Sequence, residues 1–307
     1  MMRKFLSHLI MFAVIGYLVM TVMDVGFSKV ASSSHYGATE CWENLMKGRI
    51  DADCVILGSS RAMNHVSPSL LDSILGTHSY NLGIPGLHFQ ELKPLYQLLK
   101  TRNNVRSLFL LNIDYSSLSP LNPSLNHYQY YPWFHDREFR KSFFPLLGFS
   151  IPERFLPLYR YHTEGYDYFV CYEESLYRGW LGLEREFNRG IKSSQKFQFH
   201  VSPANESAFL DFLDTLKKDD IDLVFFFSPI HVDAYQLMPN PDEMMAYYDS
   251  LACERGIPLL DYTHMWISKD SSYFADGMHM NRKGAIIFTD SLANDLKRLE
   301  MSGLAKR

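Results

Sequence analysis

Five short apolar runs, spaced by helical patterns, constrain this chain more than any other feature. Residues 54–57 read Cys-Val-Ile-Leu, 107–113 read Ser-Leu-Phe-Leu-Leu-Asn-Ile, and 222–227 read Asp-Leu-Val-Phe-Phe-Phe. Residues 79–82 and 257–260 are shorter runs of the same kind. Successive strand residues point to opposite faces, so a run that is apolar throughout is buried on both. Residues 68–75, 91–100, 208–218, 244–255 and 282–299 read as helices, with Leu70, Leu71, Ile74 and Leu75 on one face of the first. Strands alternating with helices predict an α/β fold, a parallel sheet covered on both faces. Such sheets bind ligands beyond the carboxyl ends of their strands. The positions to inspect are therefore Ser59, Ser60 and Arg61; Gly83 and Gly86; Asn112 and Asp114; Ser228 and His231; Asp261 and His264.

Before the first strand, residues 5–23 contain no charged side chain. As a helix they would rise about 28 Å, close to one hydrocarbon thickness. Arg3 and Lys4 precede the run and Asp24 follows it, which sets the N-terminus in the cytoplasm and the remainder outside. A cleaved signal peptide fits less well, because Lys29-Val30-Ala31 has lysine where cleavage wants a small residue. The expected organisation is a cytoplasmic stub and transmembrane anchor over residues 1–24 and a linker with a short helix over 25–50. Residues 51–307 then form one domain on the extracytoplasmic (periplasmic or outer) face, with an insertion at about 119–204. Residues 128–187 of that insertion hold 19 of the chain's 45 aromatics. They read either as a helical insertion with its own small core, or as a lid or platform for a sugar chain or a membrane partner.

Composition removes several classes. The 307 residues include 30 basic and 34 acidic side chains, net −4, which argues against a nucleic-acid partner. Cys41, Cys54, Cys171 and Cys253 form no Cys-x-x-Cys pair. No His-Glu-x-x-His, phosphate loop or dinucleotide fingerprint occurs, so neither a metal nor a cofactor is expected.

What remains points to a nucleophilic serine. A serine attacks only when a base takes its proton, and that base is usually a histidine held in one tautomer by a carboxylate. Ser60 follows a buried strand at a turn into a helix, which exposes its hydroxyl. Far along the chain stands Asp276-Gly277-Met278-His279, followed by Asn281, a good helix N-cap. A carboxylate three residues before a histidine can fold back onto Nδ1, leaving Nε2 for a serine.

Together with Asn81-Leu82-Gly83-Ile84-Pro85-Gly86, these segments resemble the SGNH (GDSL-type) hydrolase superfamily over residues 51–118 and 205–298. The resemblance implies a three-layer α/β/α, flavodoxin-like sheet. It also implies catalytic Ser60, Asp276 and His279, with the N–H groups of Ser60 and Gly86 as oxyanion donors. One block departs from the family pattern. Aligning Leu111-Asn112-Ile113-Asp114 on Asp114 puts Ile113 where the family has an oxyanion-binding asparagine. Asn112 is the nearest amide, one step away and, by strand alternation, on the opposite side from Ile113. Gly-Ser-Ser, one anchor and Ser228-Pro229-Ile230-His231 look like the branch acting in teichoic-acid D-alanylation and polysaccharide O-acetylation, beside multi-span membrane-bound O-acyltransferases. Arg61 and Asn64 are candidates to orient substrate. His231 and His264 stand where a histidine more often caps than catalyses, although the branch places His231 by the site.

The implied activity is a membrane-anchored serine esterase or O-acyltransferase acting on acyl esters of an envelope polysaccharide or lipid-linked saccharide. The alternatives are a lipase or thioesterase, or a non-catalytic scaffold of the same fold that binds glycan or recruits an acyltransferase.

Overall fold

A computed structural model describes residues 1–34, 38–120, 127–163, 165, 167–169, 176–188 and 198–301. In chain order the elements are α1 (Met2–Ala31), α2 (Thr39–Met46), β1 (Asp51–Gly58), α3 (Ser60–His65), α4 (Pro68–Leu75), β2 (Ser79–Gly83), α5 (Leu92–Arg102) and β3 (Asn104–Asn112). There follow α6 (Arg137–Leu147), α7 (Ile151–Phe155), α8 (Pro203–Lys218), β4 (Asp222–Phe227), α9 (Val232–Tyr235), α10 (Pro241–Arg255), β5 (Leu259–Asp261) and α11 (Arg282–Met301). They fall into two units, Met1–Glu43 with Asn122–Glu173, and Asn44–Leu121 with Glu174–Arg307.

The larger unit holds the sheet. Its strand order is β2-β1-β3-β4-β5 with every pair parallel, the flavodoxin-like order. Leu57 of β1 pairs with Leu82 on one side and Leu111 on the other. One face packs Cys54, Ile56, Leu110, Val224 and Phe226 against Ala62 and Val66 at α3, Leu71 of α4, and Phe288, Leu292 and Leu296 of α11. On other contacts of the sheet, Phe109 meets Tyr96 of α5 and Phe225 meets Phe209 of α8. The alternation read from the sequence is thus what separates the layers. The chain leaves β1 toward β2 and returns to β3, so the order reverses at the carboxyl ends of β1 and β3.

The smaller unit is built of α1, short helices and rings. Residues 5–23 of α1 are exposed along almost their whole length, and the helix is long and apolar enough to cross a membrane. The linker expected from residue 25 begins later. Helix α1 runs on to Ala31, and Asp24, Ser28 and Ala31 are buried. Asp24 does not end the helix, because Arg160, His135 and the Leu158 N–H satisfy its carboxylate. Trp42 of α2 meets Tyr130, Phe139 and Phe143 edge-on, and Phe139 stacks on Phe143 at 4.9 Å. The aromatic richness of the insertion is therefore largely a core. The expected insertion contributes to both units, since residues 176–188 belong with the sheet.

Candidate active site

Ser60 is placed by a turn that only glycine can make. Gly58 ends β1 at φ +140°, and a Cβ there would lie 2.8 Å from the Asn112 Cβ. Ser59 then caps α3, its Oγ accepting the Arg61 N–H at 3.3 Å and donating to Asp114 Oδ2 at 3.0 Å. The single Ser59 hydroxyl proton is thereby committed, and Ser60 is left facing the open end of the sheet.

The partner loop is equally constrained. Asp276 Oδ1 accepts the N–H groups of Met278 and His279 at 2.8 and 2.9 Å. This closes the loop so that His279 Nδ1 lies 3.0 Å from both carboxylate oxygens. An ionised carboxylate only accepts, so Nδ1 carries the proton and Nε2 is free to accept. His279 Nε2 lies 2.8 Å from Ser60 Oγ. Burial pulls the Asp276 carboxyl upward. The hydrogen bond and charge of His279, with the two backbone N–H groups, outweigh it and hold the group below the usual 3.8. Asn281 caps α11 by accepting the Gly284 N–H at 3.1 Å, fixing the loop's far end.

Gly86 lies exposed in the turn after β2, at φ +73°. The turn is tied to the strand before Ser60 by Ile84 N–H donating to Gly58 O at 2.9 Å. Asn81 fastens the same turn to α3: its Nδ2 donates to Ala62 O and Val66 O, and its Oδ1 accepts from Gly83 N–H.

Three residues expected at the substrate surface are turned inward. Arg61 is 2 % exposed. It pairs with Asp114 at 3.2 Å, donates to the Ser228 carbonyl and lies 4.3 Å over the Phe227 ring. One helical residue is about 100° of rotation, so adjacency to Ser60 turns Arg61 away from it. Asn112 is fully buried, its amide donating to Phe226 O at 3.3 Å and Ser228 Oγ at 3.2 Å. Its placement follows from strand alternation, and it offers no donor to an oxyanion. His231 is 6 % exposed, between the rings of Phe187 and Phe274. It caps α9 through Nδ1, and its backbone N–H donates to Gly277 O at 3.0 Å. It supports the histidine loop from beneath. Asn64 is buried too, and His264 is exposed beside Tyr235.

The structure adds residues that sequence reading missed. His65 is fully buried; its Nε2 accepts the Met280 N–H at 3.0 Å, so its Nδ1–H donates to Ser228 Oγ at 2.8 Å. Burial, with the charges of Arg61 and His279, holds His65 well below the ordinary histidine range, as a neutral acceptor requires. The ring spans from the helix that Ser60 begins to the residue after His279. A second brace is the 176–188 segment. Trp180 Nε1 donates to Asn64 O at 3.0 Å, Leu181 N–H to Met63 O at 3.1 Å, and Asn188 N–H to Ala275 O at 2.8 Å. The Arg282 guanidinium lies 5.1 Å over Trp180. Trp180 and Trp133 are both buried and present no stacking face. His65 has no sequence signal beyond its place five residues after Ser60, and the brace has only its aromatic content.

Among the described residues, no group of three or more His, Cys, Asp or Glu side chains is arranged to hold a metal. Neither a protein-family model nor a curated protein matches this sequence. Among solved structures the chain is similar to a "putative acylhydrolase" of Bacteroides fragilis. The two are 11% identical, the match covers 87% of this chain and 95% of that one, and the TM-score is 0.42. A likeness at that level says nothing about chemistry.

Proposed function

We propose that this protein is a serine-dependent hydrolase or acyl transferase of SGNH type. The observation that carries the reading is the continuous contact from Asp276 through His279 to Ser60, with 3.0 Å and 2.8 Å separations, at the carboxyl ends of parallel strands. In the proposed reaction Ser60 Oγ bonds to an acyl carbonyl carbon while His279 Nε2 takes the hydroxyl proton. The N–H groups of Ser60 and Gly86 hold the oxyanion. The tetrahedral adduct collapses, the ester C–O bond breaks, and His279 returns the proton to the leaving alkoxide. Water or a sugar hydroxyl then attacks the acyl-serine by the same steps in reverse order. Asp276 keeps Nδ1 protonated throughout.

The exposed apolar length of α1 supports a single-pass anchor with the sheet unit on the extracytoplasmic face. With the resemblance described above, that favours an acyl ester of an envelope polysaccharide or lipid-linked glycan as substrate. A multi-span O-acyltransferase is the fitting partner for transfer. The inward turn of Asn112 favours one second reading, a scaffold of weak or no activity. Loss of one oxyanion donor costs about 100- to 1,000-fold in rate.

Labelling the full-length protein with a fluorophosphonate and reading the peptides by mass spectrometry decides between them. One adduct on the Ser60 peptide, absent in Ser60→Ala, is expected. No adduct on folded protein would leave the scaffold.

A further inference from the structure

We propose that the smaller unit is seated in the outer leaflet, and that a groove in it holds the phosphate of an anionic phospholipid. The inference rests on the anchor reading above and adds a lipid site to it. Helix α1 does not simply emerge and hand over to a water-exposed unit. The Tyr17 hydroxyl, inside the charge-free run, donates to the Phe155 carbonyl at the end of α7 at 3.0 Å. Tyr17 precedes Asp24 by seven residues, about 10 Å along the helix axis. If residues 5–23 span the bilayer, Tyr17 lies about 9 Å inside the outer end of the run, so the end of α7 is held among the acyl chains of the outer leaflet, and the groove rises from Tyr17 past Thr21 to Asp24 at the headgroup boundary.

The surface of α7 suits that depth. Ile151, Phe155 and Leu156 are 75%, 65% and 50% exposed, beside a helix that is itself apolar and exposed. Exposed large apolar side chains clustered together mark an interaction site. Next to them lies a groove of about 550 Å³, lined among others by Tyr17, Arg140, Lys141, Phe144, Arg154 and Leu156. Arg140, Lys141 and Arg154 are exposed, and none has a carboxylate partner among the described residues. The groove's one carboxylate, Asp24, is already paired with Arg160 at 2.9 Å and bonded by His135. The groove is thus cationic at its rim and apolar at its side. A phosphate between three cations, with its acyl chains running down exposed α1, matches both features.

The test uses the full chain in lipid nanodiscs containing phosphatidylglycerol. Cys171 and Cys253 are replaced by serine, and a nitroxide is attached at Phe155→Cys or, separately, at Val14→Cys. Collision with dissolved oxygen reports the acyl region, and collision with a water-soluble nickel chelate reports water. Oxygen-dominated relaxation at both positions is expected. Nickel-dominated relaxation at 155 with oxygen-dominated relaxation at 14 would overturn the seating and spare the anchor. Nickel-dominated relaxation at both would remove the anchor itself. Protection of 155 from both reagents would mean a protein surface covers it, and would overturn lipid contact. Phosphatidylglycerol carried through detergent extraction should fall at least tenfold in the Arg140→Glu, Lys141→Glu, Arg154→Glu triple variant. Equal retention would overturn the phosphate site.

Discussion

His135 and His279 each meet an aspartate, one in each unit, and the neighbours decide what the pair is for. In the aromatic unit, Asp24 Oδ2 takes His135 Nε2 at 2.8 Å and Arg160 Nη2 at 2.9 Å, while Oδ1 takes the Leu158 N–H. Ser28 is there as well, accepting from Arg160 and donating to the Asp24 carbonyl. Aspartate, histidine and serine thus sit together with a buried cation among them, and both carboxylate oxygens of Asp24 are engaged. In the sheet unit, among the described residues, no lysine or arginine touches Asp276, and the outer nitrogen of His279 meets only the part-buried Ser60 hydroxyl. The same residue types make a lock in one place and, on the proposed function, a base–nucleophile pair in the other.

Single substitutions should separate the two. Ser60→Ala or His279→Ala should lower fluorophosphonate labelling, or hydrolysis of an activated ester, by at least about 10⁴-fold with the thermal transition unchanged. His135→Ala should leave the labelling rate where it was. Equal losses would erase the distinction drawn here. Breaking the buried ion pairs tests the lock next. Arg160→Met should cost about 3–5 kcal/mol in denaturation of the aromatic unit, because it strands the Asp24 charge, while Ser60 still labels. Arg61→Met strands Asp114 at a comparable cost, and there labelling should fall too, since Ser59, Arg61 and Asp114 set the start of α3. A smaller effect belongs to Ser228→Ala. Losing that hydroxyl leaves His65 Nδ1 and one Asn112 contact without an acceptor, worth about 1–3 kcal/mol, with several-fold slower labelling.

The least effect concerns acid. The Asp276 carboxyl is depressed in the folded protein. Its contribution is therefore fully present above the unfolded value near 3.8, and is lost as pH falls through the lower folded value. Thermal transitions of wild type and Asp276→Asn, followed from pH 6 downward, should converge only below that range. Convergence already at pH 5 would mean the carboxylate is not held by the loop.

Much of the sheet was legible because its strands are apolar on both faces at their centres, a pattern carried by Cys54–Leu57 of β1, Leu108–Leu111 of β3 and Leu223–Phe227 of β4. The meeting of Ser60, His279 and Asp276 was legible for a different reason. Each lies where a parallel sheet gathers its ends. Sequence adjacency misled at Arg61, where one step along a helix points into the core. His65 was invisible, because a histidine in a helix looks alike whether it braces a loop or meets water. Asp24 looked like the exit from a membrane, since its partners His135 and Arg160 lie 111 and 136 residues away.

That last separation has a consequence for how the chain is made. At roughly 5–20 residues per second, about 7–27 seconds pass between synthesis of Asp24 and of Arg160. Through that interval a carboxylate destined for a buried ion pair has only water, or the insertion machinery, for company. On the anchor reading proposed above, helix α1 would reach the bilayer as a lone hydrophobic segment with a charged end, and the aromatic unit would close on it afterwards. A ribosome-bound chain halted at residue 130 should expose the α1 end to a carboxyl-reactive reagent, and one halted beyond residue 210 should protect it.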